Sequence, residues 1–242
     1  MASIKKLFAF DFDDTIATTS NSIGVQRQNA DGSVDESFED WLYDNAIDYS
    51  DISGKPDNPF YWMDSGAFAE FENKKQKDLE YIRANEFEDV YDFSQTASID
   101  VESASPIGQI INLMQQAHTD SQSKVVIITA RAGTGSAYSP AFNNSARTTN
   151  RDDIKNFLSG QGVEINANHI STTGDSGGNP ADKANALMNY INQYNPEEVY
   201  FYDDNRLNLE AILSLCEKIY PEINRIQRYL PLDSNKLYDL RP

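Results

Sequence analysis

Cysteine is nearly absent from this sequence, because Cys216 is the single cysteine among 242 residues. One thiol can form neither an internal disulfide nor a thiolate metal cluster, which fits a reducing compartment. A long apolar run is also lacking at the start, where MASIKKLFAFDFDDT has only four consecutive apolar residues before its carboxylates. We therefore expect no signal peptide and no membrane-spanning segment, and we expect a cytoplasmic protein.

Basic residues are scarce relative to acidic ones, with 20 Lys and Arg against 38 Asp and Glu and a net charge of −18. The excess is concentrated in residues 16–105, where 20 acidic and 6 basic residues give a net charge of −14. The rest of the chain carries only −4. A negative field of this kind repels nucleic acid and anionic membranes at long range, so neither is expected as a partner.

Three short apolar segments have the pattern of buried strands, and each is bounded by charged or turn residues. They are residues 4–10 (IKKLFAF), 124–129 (KVVIIT) and 198–202 (EVYFY). A hydrophobic content of 39% over this length is enough to form a core around them.

Helical patterns follow or separate these strands. One short pattern runs from Asn150 to Leu158 and ends at Gly160. Three others have apolar residues at helical spacing: Ile107, Ile110, Ile111 and Met114 after Ser105-Pro106; Ala184, Leu187, Met188 and Ile191 after Asn179-Pro180; and Leu209, Ile212, Leu213 and Cys216. The alternation predicts an α/β fold with a doubly wound, Rossmann-like parallel sheet. Such sheets bind ligands at the carboxyl ends of their strands, here just after residues 10, 129 and 202.

The segment 16–105 interrupts the alternation, because it offers no strong buried strand. We interpret it as a mainly helical, acidic cap inserted after the first strand, so that residues 1–15 and 106–242 form the catalytic core. Within the cap, a hairpin is predicted around Asp31-Gly32, and helices are predicted near 37–45 and 65–85. A long polar loop is expected at 132–148.

The first strand leads into two carboxylates. Residues two apart in an extended chain face the same way, so Asp11 and Asp13 should point together into the site. A simpler interpretation is that DFDDT is an acidic helix start stabilised by the helix dipole. A calcium loop is excluded, because Ile16 and Ser22 stand where that loop needs glycine and a bidentate glutamate.

The other two strands also end in polar residues. KVVIIT is followed by Ala130-Arg131, and EVYFY by Asp203-Asp204. If these ends meet, carboxylates from Asp11, Asp13, Asp14, Asp203 and Asp204 approach one crevice. Like charges so close together require a cation, and an all-oxygen cluster with room for water and phosphate favours Mg²⁺. One aspartate of the last pair could instead cap the following helix.

Lys183 lies in the first turn of the helix that Asn179 and Pro180 open. The helix dipole disfavours a cation there unless an anion is close. A lysine at a helix start beside a carboxylate cluster suits phosphate binding. The alternative is an exposed Lys183 paired with Asp182 or Asp175.

Four ordered motifs resemble those of the haloacid dehalogenase superfamily: FDFDDT at 10–15, VVIITAR at 125–131, helix-initial Lys183, and VYFYDDN at 199–205. The resemblance implies a Mg²⁺-dependent phosphatase in which Asp11 is the nucleophile and Asp13 the acid and base. It also implies Thr129 and Lys183 as phosphoryl ligands. The implied metal ligands are Asp11, the carbonyl of Asp13 and the Asp203-Asp204 pair, with Asp204 direct and Asp203 supporting.

The substrate implied by the resemblance is a small phosphorylated metabolite, for which a nucleotide is one candidate. The ITAR and YDDN variants are similar to phosphatases of nucleotides and of polynucleotide 3′ ends, but the acidic cap opposes a long polyanion. Arg131 either contacts a substrate anion or braces its loop. A phosphomutase, a phosphate-receiver domain and an acidic interaction protein are the other functions considered. Receivers place their lysine last, whereas Lys183 precedes Asp203.

Overall fold

The computed structural model of this protein describes most of the chain. It covers residues 3–55, 58–92, 94–96, 103–131, 150–174, 178–220, 225–230 and 236–239. The described residues form two compact units, one made of 3–19 with 103 onward and the other of 20–96. The predicted loop at 132–148 lies outside the described residues. No helix among those described is long and apolar enough to cross a bilayer.

Strands and helices alternate along much of the chain. The strands are β1 (Lys6–Phe10), β2 (Ala17–Thr18), β3 (Ile23–Gln28), β4 (Asp51–Lys55), β5 (Asn58–Met63), β6 (Glu88–Asp92), β7 (Ser105–Pro106), β8 (Ser123–Thr129), β9 (Ile170–Thr172), β10 (Glu198–Tyr202), β11 (Arg225–Leu230) and β12 (Lys236–Asp239). The α-helices are α1 (Phe38–Asp44), α2 (Ser65–Lys77), α3 (Leu79–Ala84), α4 (Gly108–Thr119), α5 (Asn150–Gly160), α6 (Pro180–Tyr194) and α7 (Arg206–Ile219). Short 3-10 helices cover Ser94–Thr96 and Ala167–His169.

The first unit contains a six-stranded sheet with the order β12-β11-β10-β1-β8-β9. β1 lies between β10 and β8 and is parallel to both. β9 and β11 extend the sheet in the parallel sense, and β12 closes one edge in the antiparallel sense. The predicted strands at 4–10, 124–129 and 198–202 are therefore confirmed as neighbours, and so is the α/β class.

Alternation along β1 divides its side chains between two hydrophobic cores. Phe8 and Phe10 pack in one core with apolar residues of α4 and α5. Leu7 and Ala9 pack in the other with apolar residues of α6 and α7. Most residues of the apolar faces predicted for these helices are buried, whereas Ile107, Met188 and Leu213 are half-buried. Helix α4 begins at Gly108, because Ser105-Pro106 forms β7 instead.

The second unit corrects the prediction of a mainly helical cap. Its residues form a four-stranded sheet of order β4-β5-β3-β6, whose paired strands are antiparallel. Helices α1 and α2 contribute to its core, in which Phe38 and Phe71 pack with Val25 and Tyr61 of the sheet. β3 is the first strand of the predicted hairpin, whereas β4, β5 and β6 were not predicted from the sequence; β4 and β6 contain no apolar run.

Two details of the second unit also differ from the prediction. The helix predicted over 65–85 is divided at Asp78 into α2 and α3. The turn at Asp31-Gly32 is present, with Gly32 at a φ of 81°, but the returning chain makes only an isolated bridge between Gln28 and Val34. β3 pairs instead with β5 and β6, strands from later in the chain.

The junction between the units falls inside the predicted insertion. β2 pairs with β7, which ties residues 17–18 to residues 105–106 within the first unit. Ile16 and Ala17 are fully buried in the core that contains Phe8. Residues 16–19 and 103–105, which the sequence assigned to the cap, therefore belong to the first unit.

Candidate active site

The carboxyl ends of neighbouring strands bring the predicted site residues to one edge of the sheet. Phe10, the last residue of β1, is paired with Tyr202, the last residue of β10. Asp11 follows directly, and its N–H donates a hydrogen bond to the Tyr202 carbonyl at 2.8 Å. Asp203 follows β10, and Thr129 ends β8 on the other side of β1.

The chain after Asp11 forms a tight turn and does not start a helix, so the simpler interpretation of DFDDT is wrong. The N–H groups of Ile16 and Ala17 both donate to the Phe12 carbonyl. Asp14 adopts a φ of 52°, in the left-handed region, and its N–H donates to the Ala17 carbonyl at 2.8 Å. This turn directs the chain into β2.

Three carboxylates at this edge are close enough to share a cation. One oxygen each from Asp11, Asp203 and Asp204 lies within 4.8 Å of the others. Asp11 and Asp203 are buried, and Asp204 is half-buried. Carboxylate oxygens are ligands for hard divalent cations. These three residues could therefore hold a metal ion.

The crowding of negative charge changes the protonation of two of these groups. Burial raises the pKa of Asp11 to about 7, with Asp203 and Asp13 adding to the shift and Lys183 opposing it. Burial, followed by the charges of Asp203 and Asp11, raises the pKa of Asp204 well above its ordinary value. A divalent cation would act in the opposite direction, because it favours the ionised carboxylates.

Lys183 lies between two of the carboxylates and is only 2% exposed. Its Nζ is 3.0 Å from Asp11 Oδ1 and 2.8 Å from Asp203 Oδ2. Burial alone would lower the pKa of Lys183, but the charges of Asp11 and Asp203 raise it above its ordinary value. Lys183 is thus buried against the carboxylate cluster and is not the exposed lysine of the alternative interpretation.

The start of α6 fixes the position of Lys183. Asn179 caps the helix, since its Oδ1 accepts hydrogen bonds from the N–H groups of Ala181 and Asp182. Asp182 completes a capping box by accepting from the N–H of Asn179 at 3.3 Å. Pro180 occupies the first helical position, where its lack of an N–H costs nothing. Lys183 follows in the first turn, as the sequence predicts.

Asp203 is held from both sides by hydrogen bonds. Its Oδ2 accepts from Lys183, and its Oδ1 accepts from the Asn205 N–H at 2.9 Å and from Asn208 Nδ2 at 2.8 Å. Asn208 is buried in the first turn of α7 and was not predicted from the sequence as a site residue. A signal was present, because Asn208 precedes Ile212 by four residues and so lies on the apolar face of the helix.

The carboxylate of Asp13 has different partners from that of Asp11. Arg131 Nε donates to Asp13 Oδ2 at 2.8 Å, and Arg131 Nη2 donates to Oδ1 at 2.7 Å. Thr19 Oγ1 also donates to Oδ1 at 2.7 Å. Burial favours a higher pKa for Asp13, but the Arg131 guanidinium outweighs it and holds the pKa below its ordinary value. The Asp13 carboxylate is not part of the three-carboxylate group that could hold a metal.

Thr129 is 1% exposed at the end of β8. Its Oγ1 accepts a hydrogen bond from the Arg131 N–H at 3.2 Å. Its carbonyl accepts from both the N–H and the Oγ1 of Thr173, just after β9. These bonds fix the backbone on which Thr129 and Arg131 are carried. The role of Thr129 as a phosphoryl ligand stays a prediction.

The structure thus brings the predicted site residues together in two adjoining groups. Asp11, Lys183, Asp203 and Asp204 form one, while Asp13 and Arg131 form the other. Comparison with protein-family models, curated proteins and solved structures finds no match to this chain.

Proposed function

We propose that this protein is a Mg²⁺-dependent phosphatase that hydrolyses small phosphate monoesters through an aspartyl-phosphate intermediate. The observation that carries the proposal is the meeting of Asp11, Asp203 and Asp204 oxygens within 4.8 Å at the carboxyl ends of parallel strands. Buried Lys183 pairs with two of the three carboxylates. The ordered motifs that resemble the haloacid dehalogenase superfamily support the same conclusion.

The proposed architecture is that of a doubly wound, Rossmann-like core with a cap inserted after the first strand. Apolar residues of α4 and α5 pack in one core and those of α6 and α7 in the other, which supports this arrangement. The insertion corresponds to the unit of residues 20–96. Its sheet makes it a mixed α and β cap.

The donor set fits Mg²⁺, although other hard cations use the same ligands. Asp11, Asp203 and Asp204 would hold the ion, with Asp204 as the direct ligand of the last pair, because Lys183, Asn205 and Asn208 already engage both oxygens of Asp203. Bound Mg²⁺ would supply positive charge that reduces repulsion between the carboxylates and an incoming phosphate.

The protein's own residues then carry out the two chemical steps. Asp11 attacks phosphorus, the bond from phosphorus to the alcohol oxygen breaks, and an aspartyl phosphate forms. Arg131 keeps the Asp13 carboxylate ionised and its pKa low in the free protein, so Asp13 must first take up a proton as the negatively charged phosphoryl group binds beside it. It gives this proton to the departing oxygen and, ionised again, later takes a proton from the water that attacks phosphorus and releases Asp11. The net reaction converts a monoester and water into an alcohol and phosphate. Thr129 and Lys183 stabilise the phosphoryl oxygens.

The proposed substrates are small because of the charge distribution of the chain. Residues 16–105 carry a net charge of −14. Each additional phosphate of a polyanion meets this repulsion, whereas Lys183 and a bound metal ion would balance the charge of a single phosphoryl group. Nucleoside monophosphates are therefore expected to be hydrolysed with a higher kcat/KM than 3′-phosphorylated oligonucleotides.

The test is a phosphatase assay with Mg²⁺ or with EDTA on p-nitrophenyl phosphate, nucleoside monophosphates, sugar phosphates and a 3′-phosphorylated oligonucleotide. We expect Mg²⁺-dependent release of phosphate by the wild-type protein and none above background by Asp11→Asn, because an amide is not a nucleophile. Asp44→Asn makes the same change at an exposed position and should leave activity unchanged. Full activity in Asp11→Asn, or no hydrolysis by the wild type across the panel, would reject the proposal.

A further inference from the structure

We infer that Arg131 is a positioning residue, which fixes the carboxylate of Asp13 for proton transfer and does not bind the phosphoryl group of the substrate. The inference rests on the proposed function and assigns a role within the same site. It is based on a bidentate contact: Arg131 Nε lies 2.8 Å from Asp13 Oδ2, and Arg131 Nη2 lies 2.7 Å from Asp13 Oδ1. A guanidinium that binds both oxygens sets the plane of the carboxylate as well as its position.

The guanidinium itself is enclosed by protein. The Arg131 side chain is 3% exposed, whereas that of Asp13 is 19% exposed. Arg131 Nη1 lies 3.5 Å from Asn150 Oδ1, and its Cζ is 5.8 Å from the centre of the Phe12 ring. Solvent, and hence a substrate, reaches the carboxylate more readily than the cation behind it.

A second donor completes the support of Asp13. Thr19 Oγ1 donates to Oδ1, the oxygen that Arg131 Nη2 also contacts, and Arg131 Nε contacts Oδ2. The backbone N–H of Arg131 is in turn held by Thr129 Oγ1 at 3.2 Å. Side chain and main chain of Arg131 therefore fix Asp13 relative to the end of β8, beside the strand that carries Asp11.

Proton transfer depends on this placement, because a catalytic group must be held within hydrogen-bonding reach of the reacting atom. In Arg131→Ala, Asp13 keeps its carboxyl group and is freed from the guanidinium that lowers its pKa, so a slower proton transfer in this variant reports the lost orientation and not a lost proton. The loss should therefore be largest for substrates whose leaving oxygen needs a proton. An alkyl phosphate needs one, whereas p-nitrophenolate is a weak base that leaves without it.

The experiment compares kcat/KM for ethyl phosphate and for p-nitrophenyl phosphate in the wild type and in Arg131→Ala. This parameter includes only the steps up to formation of the aspartyl phosphate, so the later hydrolysis does not mask the difference. We expect kcat/KM to fall about 100-fold for ethyl phosphate, as for a lost general acid, and much less for p-nitrophenyl phosphate. Arg151→Ala removes an exposed arginine and should change neither value.

Arg131→Lys provides a second test in case Arg131→Ala does not fold. Lysine keeps the charge but lacks the planar fork, so the same selective loss on ethyl phosphate is expected. Equal losses on both substrates, together with weaker inhibition by inorganic phosphate, would assign Arg131 to the phosphoryl group and overturn the inference.

A measurement of thermal stability separates this inference from the proposed function. Because Arg131 and Asp13 are partners, the Tm losses of Arg131→Ala and Asp13→Asn should not add in the double variant. Additive losses would overturn the role of Arg131 even if the wild type is an active phosphatase. Non-additive losses in a protein without phosphatase activity would confirm the pair while rejecting the proposed function and the catalytic role of Arg131.

Discussion

Lys183 and Asp203 form an ion pair in which both side chains are buried, with Nζ 2.8 Å from Oδ2. Lys183 also lies 3.0 Å from Asp11, so a single cation faces two carboxylates. Lys183 lies at the start of α6, which is fixed by the Asn179 cap, and Asp203 lies directly after β10, where it accepts a hydrogen bond from the Asn205 N–H. The positions of these side chains are therefore fixed by contacts within the protein itself.

Replacing Lys183 with an uncharged residue should lower the stability of the protein. In Lys183→Met, the buried carboxylates of Asp11 and Asp203 lose their counter-ion, which should lower the free energy of unfolding by about 3–5 kcal/mol at neutral pH. Urea denaturation followed by circular dichroism measures the loss. Lys155→Met, at an exposed position of α5, should be close to neutral. Mg²⁺ should restore part of the lost stability, and equal stability of the two variants would contradict the ion-pair assignment.

The Mg²⁺ affinity of the proposed site should depend on pH. Burial raises the pKa of Asp11 to about 7, and a carboxyl group must lose its proton to bind the ion. We expect the dissociation constant for Mg²⁺ to be about tenfold higher at about pH 6 than at about pH 8, as for one competing proton. Isothermal titration calorimetry measures both values. A constant affinity over this range would show that no such proton competes.

The same group gives the stability of the metal-free protein a pH dependence of known sign. The pKa of Asp11 is about 7 in the folded state and 3.8 in the reference state, so folding takes up a proton between these values. The contribution of Asp11 to stability therefore falls as the pH rises from 3.8 to about 7. Asp11→Asn should lack this contribution, which thermal melts in EDTA across that range would show.

Asn208 should contribute to metal affinity without contacting the metal. Its side-chain amide donates to Asp203 Oδ1 at 2.8 Å. Asn208→Ala removes this bond and leaves the Asn205 N–H as the donor to Oδ1, so Asp203 is held less firmly and the affinity for Mg²⁺ should fall about 10-fold or more. Asn156→Ala, at an exposed position of α5, is the matched control. Unchanged affinity in Asn208→Ala would limit Asn208 to a role in folding.

Loss of the buried Asp89 carboxylate, in the second unit, should destabilise the protein more than loss of Lys75, one of the two cations that it contacts. Asp89 is shared by Arg27, whose Nε is 2.9 Å from Oδ1, and by Lys75, whose Nζ is 2.8 Å from Oδ2. The Arg27 side chain is 0% exposed, so Asp89→Asn would leave a buried cation without its counter-ion. We expect a loss of about 3–5 kcal/mol for Asp89→Asn and a smaller one for Lys75→Met.

Denaturation of both variants, with exposed Asp40→Asn as a control, measures this difference. A larger loss in Lys75→Met than in Asp89→Asn would contradict this ranking and would assign more weight to the contacts of Lys75 with Glu72 and the Tyr91 hydroxyl.

The second unit shows where pattern recognition from the sequence failed. The core strands at 124–129 and 198–202 have nearly continuous runs of apolar residues, because helices pack on both faces of a parallel sheet. β3 and β6 contain charged and amide side chains, several of which are buried by pairing within the unit, as Arg27 and Asp89 are. Local sequence does not reveal such pairing, since the partners are 62 residues apart.

The sequence by itself determined the α/β class, the strands that carry the motifs, and the convergence of Asp11, Lys183 and Asp203 at one sheet edge. It did so because buried strands, a capped helix start and polar strand ends all have local signatures. Only the tertiary structure decided which partner each side chain takes. Asp13 pairs with Arg131 across 118 residues, and Arg27 pairs with Asp89 across 62. Hydrogen bonds of this kind depend on atomic positions within a few tenths of an ångström, which follow from packing of the whole chain and not from any segment of it.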